Sequence, residues 1–245
     1  MGERGSMNPV GGIVMANWYQ FESRDDMVVA LKSVISARLS AATASGRRAS
    51  WAVSGGSTPT PLFEAMQSEL LAWQNIDVAL VDERWVPFDH PRSNEAFVTR
   101  ALKRGAAAAV KITGMKTDDA TAAQAVEAVN KRYSALAQPF DSVLLGVGAD
   151  GHTASLFPEA AGLEAAFDAK ADTCVALTAV RSEVTGDEIE RVSLSANAIA
   201  CSPHVAVMIT GNAKKQMLEA ALKPNSGLPV GRLHTVKPFD VYWAP

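Results

Sequence analysis

The chain has 245 residues, 48% hydrophobic and 20% charged, so a core of ordinary size can form without disulfides or structural metal. A formal charge of −3 and a pI near 5.8 give no general attraction for nucleic acid or anionic lipid, so an anion must be held by a local site. Cys174 and Cys201 lack metal-ligand spacing and read as small buried hydrophobes, and no apolar run approaches the ~20 residues of a membrane span. The expected compartment is the cytoplasm. Residues 1–17, with Gly2, Gly5, Pro9, Gly11 and Gly12 and no signal-peptide core, read as a loose leader, and a single domain is expected over 18–245.

In chain order, Ser23 caps a first helix with Asp25 and Asp26 in its positive first turn. Met27, Val28, Leu31, Val34, Ile35 and Leu39 form one stripe, and Gly46 ends the helix. Strands follow at 50–54, 77–82, 141–147, 173–177, 191–195, 205–210 and 239–243, with helices expected at 59–71, 93–103, 119–137, 212–222 and 229–234. This alternation predicts a parallel sheet wrapped by helices. In such a sheet the strand carboxyl ends share one edge, and ligands bind in the crevice outside them. Four unusual polar segments each follow directly on a strand, at 55–58, 83–84, 148–152 and 211–214, and are expected to meet there.

The string SGGSTPTP at 54–61 joins a strand to a helix. Gly55 and Gly56 allow a sharp turn and a close approach to a ligand. Thr58 or Ser57 stands where a helix cap belongs, with Pro59 at the first helical position. Free N–H groups at a helix start favour phosphate, although an ordinary turn uses the same residue types. DERW at 82–85 crowds two carboxylates and a guanidinium at a strand end, which is costly unless they are paired or exposed. It reads either as a structural ion pair or as Arg84 held as a fixed donor for developing oxyanion charge.

GVGADGHTASLFP at 146–158 is the sharpest segment. Asp150 lies two positions before His152, where a carboxylate can orient an imidazole and stabilise its protonated form. Histidine is the side chain suited to activating water near neutral pH, whereas His90, His204 and His234 lie in settings that read as structural. GNAK at 211–214 puts Lys214 in the first turn of a helix, opposing the dipole by ~0.3–1 kcal/mol unless an anion binds there. A solvated surface lysine is the alternative. The chain has no GxSxG elbow and no GxGxxG fingerprint, and Ser57 and Ser155 have no base beside them in sequence.

In this order SGGSTP, DERWVP with Ser93 and Asn94 after it, GVGADGHTASLFP, ERVSL and GNAKK resemble the 6-phosphogluconolactonase family of the pentose phosphate pathway. The similarity runs over about 18–243, and GADGHTASLFP is highly specific. The resemblance implies a Rossmann-like α/β fold, with a parallel or mostly parallel sheet and helices on both faces, and makes 18–245 one catalytic domain. It implies hydrolysis of 6-phospho-D-glucono-1,5-lactone to 6-phosphogluconate with no metal and no cofactor.

By this resemblance His152 is the general base, with Asp150 holding it. Asp82 and Arg84 match the DER motif, Asn94 belongs to the SN pair, and Lys214 matches the lysine of GxxK. Gly55, Gly56, Ser57 and Thr58 match a phosphate loop. The implied partner is a small phosphorylated sugar lactone, with no nucleic acid, no membrane, and a monomer or weak dimer. One departure is that 184–190 is acidic where the family often has a proline-rich approach to an arginine, which leaves the presentation of Arg191 open.

Two other readings share these strings. Glucosamine-6-phosphate deaminase, an isomerase, carries a glutamate where Phe157 stands, and DEY in place of Asp82, Glu83 and Arg84. A sugar-phosphate sensor without catalysis would carry an added DNA-binding module and would lack the histidine.

Overall fold

Residues 16–245 are described by a computed structural model; positions 1–15 of the expected leader lie outside the described residues, and Asn17 already opens the first strand. Among the described residues ten strands form: β1 (Asn17–Gln20), β2 (Ala49–Val53), β3 (Ile76–Leu80), β4 (Asp82–Arg84), β5 (Lys111–Thr113), β6 (Ser142–Leu145), β7 (Cys174–Thr178), β8 (Glu190–Leu194), β9 (Val205–Thr210) and β10 (Asp240–Ala244). Seven of them make one sheet in the order β1-β10-β9-β6-β2-β3-β5, with every neighbouring pair parallel. Strands β2, β3 and β6 are buried along their whole length. That is why they read as continuous apolar runs rather than alternating ones: helices cover both of their faces.

The helices are α1 (Arg24–Ala44), α2 (Thr60–Met66), α3 (Asn94–Leu102), α4 (Ala122–Tyr133), α5 (Leu163–Ala166), α6 (Ala196–Ala200), α7 (Asn212–Ala221) and α8 (Pro229–Val236). Ser23 caps α1 as expected, its Oγ accepting from the Asp26 N–H at 3.1 Å. Met27, Leu31, Ile35 and Leu39 of α1 are fully buried, and the helix lies against β2, β6 and β10. Helix α1 has 21 residues and, with a mean hydropathy of 1.3 over an 18-residue window, is by length and composition long and apolar enough to cross a membrane, which corrects the expectation that no run comes near that length. Lys32 and Arg38 interrupt the apolar run in sequence, while the average over that window stays high. Its apolar stripe packs on the sheet.

Two expectations shift for local reasons. Helix α2 starts at Thr60 and not Pro59, and neither Ser57 nor Thr58 caps it; Pro59 holds the cap position while the Thr60 N–H bonds the Ser57 carbonyl in a preceding turn. The apolar run 77–82 divides: β3 ends at Leu80 and β4 begins at Asp82, in a second sheet of order β4-β8-β7 that is antiparallel. The strand expected at 173–177 belongs to this small sheet, not to the large one. Its register sets Asp82 opposite Ser193 and Arg84 opposite Arg191. Cys174 is buried as expected, whereas Cys201 is exposed, because the five-residue helix α6 ends just before it at the surface.

Candidate active site

Outside the carboxyl ends of β2, β3, β6 and β9 lies a cavity of about 260 Å³. Every residue expected at the site lines it except Asp150: the Gly55–Thr58 loop, Asp82, Arg84, Asn94, His152 and Lys214 all face this space. Four segments spread over about 160 residues therefore meet because parallel strands deliver their ends to one edge.

The loop after β6 presents His152. The Gly148 N–H donates to the His152 carbonyl at 2.9 Å, and the Gly151 N–H to the Gly148 carbonyl at 3.1 Å, closing a tight bend. Gly151 sits at φ +78°, in the left-handed region that favours glycine. His152 Nδ1 meets Asp150 Oδ1 at 2.5 Å, and the His152 backbone N–H donates to the same oxygen at 3.2 Å. Partial burial works to raise the Asp150 carboxyl's proton affinity, but the hydrogen bonds and charge of His152 outweigh it and hold the group below its ordinary range. An ionised Asp150 only accepts, so in the neutral imidazole it is Nδ1 that carries the hydrogen and Nε2 that has the lone pair. The imidazole also stacks on Phe157, with ring centroids 4.0 Å apart. Asp150 stands behind the ring, where it lines a neighbouring cavity with Phe157 and Thr185.

Close packing explains two of the glycines. A Cβ on Gly148 would lie 2.6 Å from Asp150 Oδ1 and closer still to His152 Nδ1 and Cε1. A Cβ on Gly55 would lie 2.7 Å from Asn94 Cγ and closer to its Oδ1. These glycines make room for side chains that other segments bring in.

DERW is not an internal ion pair: among the described residues Arg84 makes none. Its Nη1 donates to the Arg92 carbonyl at 2.6 Å, and its Nε is buried with no hydrogen-bond partner. Asp82 is buried and accepts from the Ser155 hydroxyl at 2.6 Å and from the Asn94 amide at 3.3 Å. The Asn94 amide also donates to the Asp82 carbonyl at 2.9 Å. Glu83 alternates to the other side of β4 and is fully buried, and that burial pushes its carboxyl up to about 7 against three backbone N–H bonds that pull the other way.

Arg191, whose presentation the sequence left open, is only 2% exposed on β8. Its guanidinium lies 5.4 Å from the Phe157 ring centroid, and Nη2 donates to the Thr185 carbonyl at 3.1 Å. Burial lowers its pKa to about 10, with the Asp82 charge opposing and the Arg84 and Arg92 charges adding. Phe157 thus carries an imidazole and a guanidinium on one ring, a contact that no local pattern signals.

Lys214 sits in the first turn of α7 as expected, and it is half-buried rather than solvated. Its Nζ donates to the Val147 carbonyl at 2.8 Å, and burial lowers its pKa. The remaining histidines are structural. His204 Nδ1 lies 2.9 Å from Ser142 Oγ, His234 packs edge-on to Phe239, and His90 Nδ1 accepts from the Arg92 N–H at 3.2 Å. Among the described residues no group of three or more His, Cys, Asp or Glu side chains is arranged to hold a metal ion.

Residues 22–243 match the family described as glucosamine-6-phosphate isomerases/6-phosphogluconolactonase. The chain is 34% identical over 231 residues to a 6-phosphogluconolactonase of Mesorhizobium japonicum, covering 94% of this chain and 95% of that one. It is 36% identical over 218 residues to one from Pseudomonas putida, covering 86% of each. A crystal structure of a 6-phosphogluconolactonase from Shewanella baltica superposes with a TM-score of 0.88 at 32% identity, over 95% of this chain and 99% of that one.

Proposed function

The chain belongs to the family of glucosamine-6-phosphate isomerases and 6-phosphogluconolactonases, and from that premise we propose that it hydrolyses 6-phospho-D-glucono-1,5-lactone to 6-phosphogluconate. One observation carries the chemistry: a histidine oriented by a carboxylate faces the same cavity as an arginine with an unpartnered Nε and a half-buried lysine. A general base, an oxyanion donor and an anion anchor are what ester hydrolysis of a phosphorylated substrate needs.

In this reading the phosphate rests on the Gly55–Thr58 loop, whose Ser57 and Thr58 hydroxyls line the cavity, and Lys214 supplies the opposing charge. The anchored substrate brings its C1 carbonyl to His152. Nε2 takes a proton from water as the water oxygen bonds to C1, and negative charge develops on the carbonyl oxygen beside Arg84. The tetrahedral intermediate collapses by breaking the C1–ring oxygen bond, and the imidazolium returns its proton to that oxygen. Asp150 holds Nδ1–H throughout, while Asp82 keeps Asn94 and Ser155 in place and offsets the nearby guanidinium groups. Phe157 against the imidazole has no proton to move, which favours hydrolysis over isomerisation. The cytoplasm as the compartment and a single catalytic unit over 18–245 belong to the same proposal.

The test is turnover of the phosphorylated lactone, with spontaneous hydrolysis subtracted. His152→Ala should lose ~10²–10⁴ in kcat with product affinity largely kept. Unphosphorylated gluconolactone should be a poor substrate in kcat as well as KM, because remote binding energy aligns the carbonyl. Near-normal turnover by the variant, or equal use of both lactones, defeats the assignment.

A further inference from the structure

Among the described residues Glu83 is the one buried carboxylate at this strand end that the proposed chemistry does not use. Strand alternation sends its neighbours Asp82 and Arg84 toward the cavity and Glu83 away from it. There it meets the start of α3. Its Oε1 accepts from the backbone N–H of Arg84 and from that of Asn94, each at 2.8 Å. Its Oε2 accepts from the Glu95 N–H at 2.8 Å and from the Ser93 hydroxyl at 3.3 Å. The Ser93 Oγ in turn accepts from the Ala96 N–H at 3.1 Å. The first three N–H groups of α3 are therefore satisfied, two of them by a carboxylate eleven and twelve residues earlier in the chain, at the helix end where negative charge is favoured.

What this clamp holds is functional on both sides. The Arg84 N–H ties it to the backbone of the candidate oxyanion donor. Through Asn94 it reaches further, because that amide bonds the Asp82 carbonyl and carboxylate and fills the space above Gly55. Cutting the clamp frees the end of β4 from the start of α3, and with it the spacing between the phosphate loop and Arg84.

We infer that Glu83 is a positioning residue that sets the distance between the phosphate-binding end of the cavity, at Gly55 and Asn94, and its reacting end, at Asp82 and Arg84. The inference rests on the hydrolase reading for the names of those two ends. A substrate bridging them senses any change in their separation at both, so kcat and KM move together. A residue that only stabilised the fold would lower the melting temperature and leave the kinetics of the folded fraction unchanged.

The experiment compares Glu83→Ala and Glu83→Gln with the wild type in lactone turnover, thermal melting and calorimetric binding of inorganic phosphate. Glutamine can keep a carbonyl oxygen at the Oε1 position, serving the Arg84 and Asn94 N–H groups, while its amide loses the Glu95 N–H. Glu83→Ala should lose ~10²-fold in kcat, the cost of a displacement of ~1 Å, and bind phosphate more weakly. Glu83→Gln should return kcat to within ~10-fold of wild type while its melting temperature stays lowered. Wild-type kcat in Glu83→Ala overturns the inference, as does a Glu83→Gln that folds but is as slow as alanine. If Glu83→Ala does not fold, Glu83→Gln decides alone: near-wild-type kcat and phosphate affinity with a lowered melt support the clamp, and an alanine-like loss of ~10² refutes it. A wild type that binds phosphate but turns over no lactone sinks the hydrolase reading instead, and the clamp is then judged on phosphate affinity, which must fall in alanine and recover in glutamine.

Discussion

Gly148→Ala puts the smallest side chain where the structure leaves no room for one. The new Cβ would sit 2.6 Å from Asp150 Oδ1 and closer to two atoms of the His152 ring, whereas carbon contacts settle near 3.5–4.0 Å. Something must move by roughly 1 Å, and the backbone of this bend is tied down by the Gly148 N–H to His152 carbonyl bond at 2.9 Å. The imidazole and its carboxylate are what can yield. Parting them costs the tautomer and aim of Nε2, so kcat should fall by ~10²-fold or more, bounded by the loss in His152→Ala. KM should change little, since Lys214 and the Gly55–Thr58 loop are untouched. Gly146→Ala is the control in the same loop, because its Cβ would meet nothing nearer than Ser54 Oγ at 4.0 Å. Steady-state kinetics of both variants, with melts to show that each is folded, test the reasoning. Equal activity in the two variants, or a Gly148→Ala enzyme that keeps wild-type kcat, would refute the role given to the Asp150–His152 pair.

Lys214→Ala should mainly raise KM and weaken inhibition by inorganic phosphate in parallel, because an anchor acts alike on ground state and transition state. Arg84→Ala should instead lower kcat and kcat/KM together by ~10²–10³, with only partial recovery in Arg84→Lys; swapped phenotypes would mean that the substrate lies the other way round. Acid sensitivity should trace in part to His204, which is buried against Ser142 and pushed down to about 4 by burial and by the Arg38 charge, with Asp240 opposing. The folded pKa lies below the ordinary 6.5, so this contribution is complete above pH 6.5 and is lost as pH falls toward about 4. A shift of that size corresponds to about 3 kcal/mol at the acid end. Melts at pH 7 and pH 4.5 should show a smaller acid loss in His204→Asn than in wild type, and equal losses would remove His204 from the account.

The sequence revealed the site to the extent that its parts are local. Gly55, Gly56 and Gly148 stand out because glycines at a strand end have a backbone cause, and His152 because Asp150 precedes it by two positions. Lys214 stands out because a cation in the first turn of a helix works against the dipole. Parallel pairing then brings these loops to one edge. The missed parts depend on contacts between distant segments. The division of 77–82 into β3 and β4 is made by β8, which pairs with residues 82–84 from more than a hundred positions away, and an apolar run ending in Asp82 looks the same either way. Glu83 read as half of an ion pair because its true partners are backbone N–H groups, one on the next residue and two eleven and twelve residues on, which carry no side-chain signature.

The same distinction explains why two glycines in one loop should differ so sharply on substitution. Gly146 and Gly148 are indistinguishable as letters in GVGADGH. Only the folded bend, which returns His152 and Asp150 over Gly148 and leaves Gly146 clear of other side chains at the cavity wall, leaves room for a Cβ at one and not at the other. The chemistry of this site is thus written in side chains that a motif displays. Its geometry is held by what those side chains meet, the Phe157 ring, the buried Glu83 carboxylate and the bare Cα of Gly148.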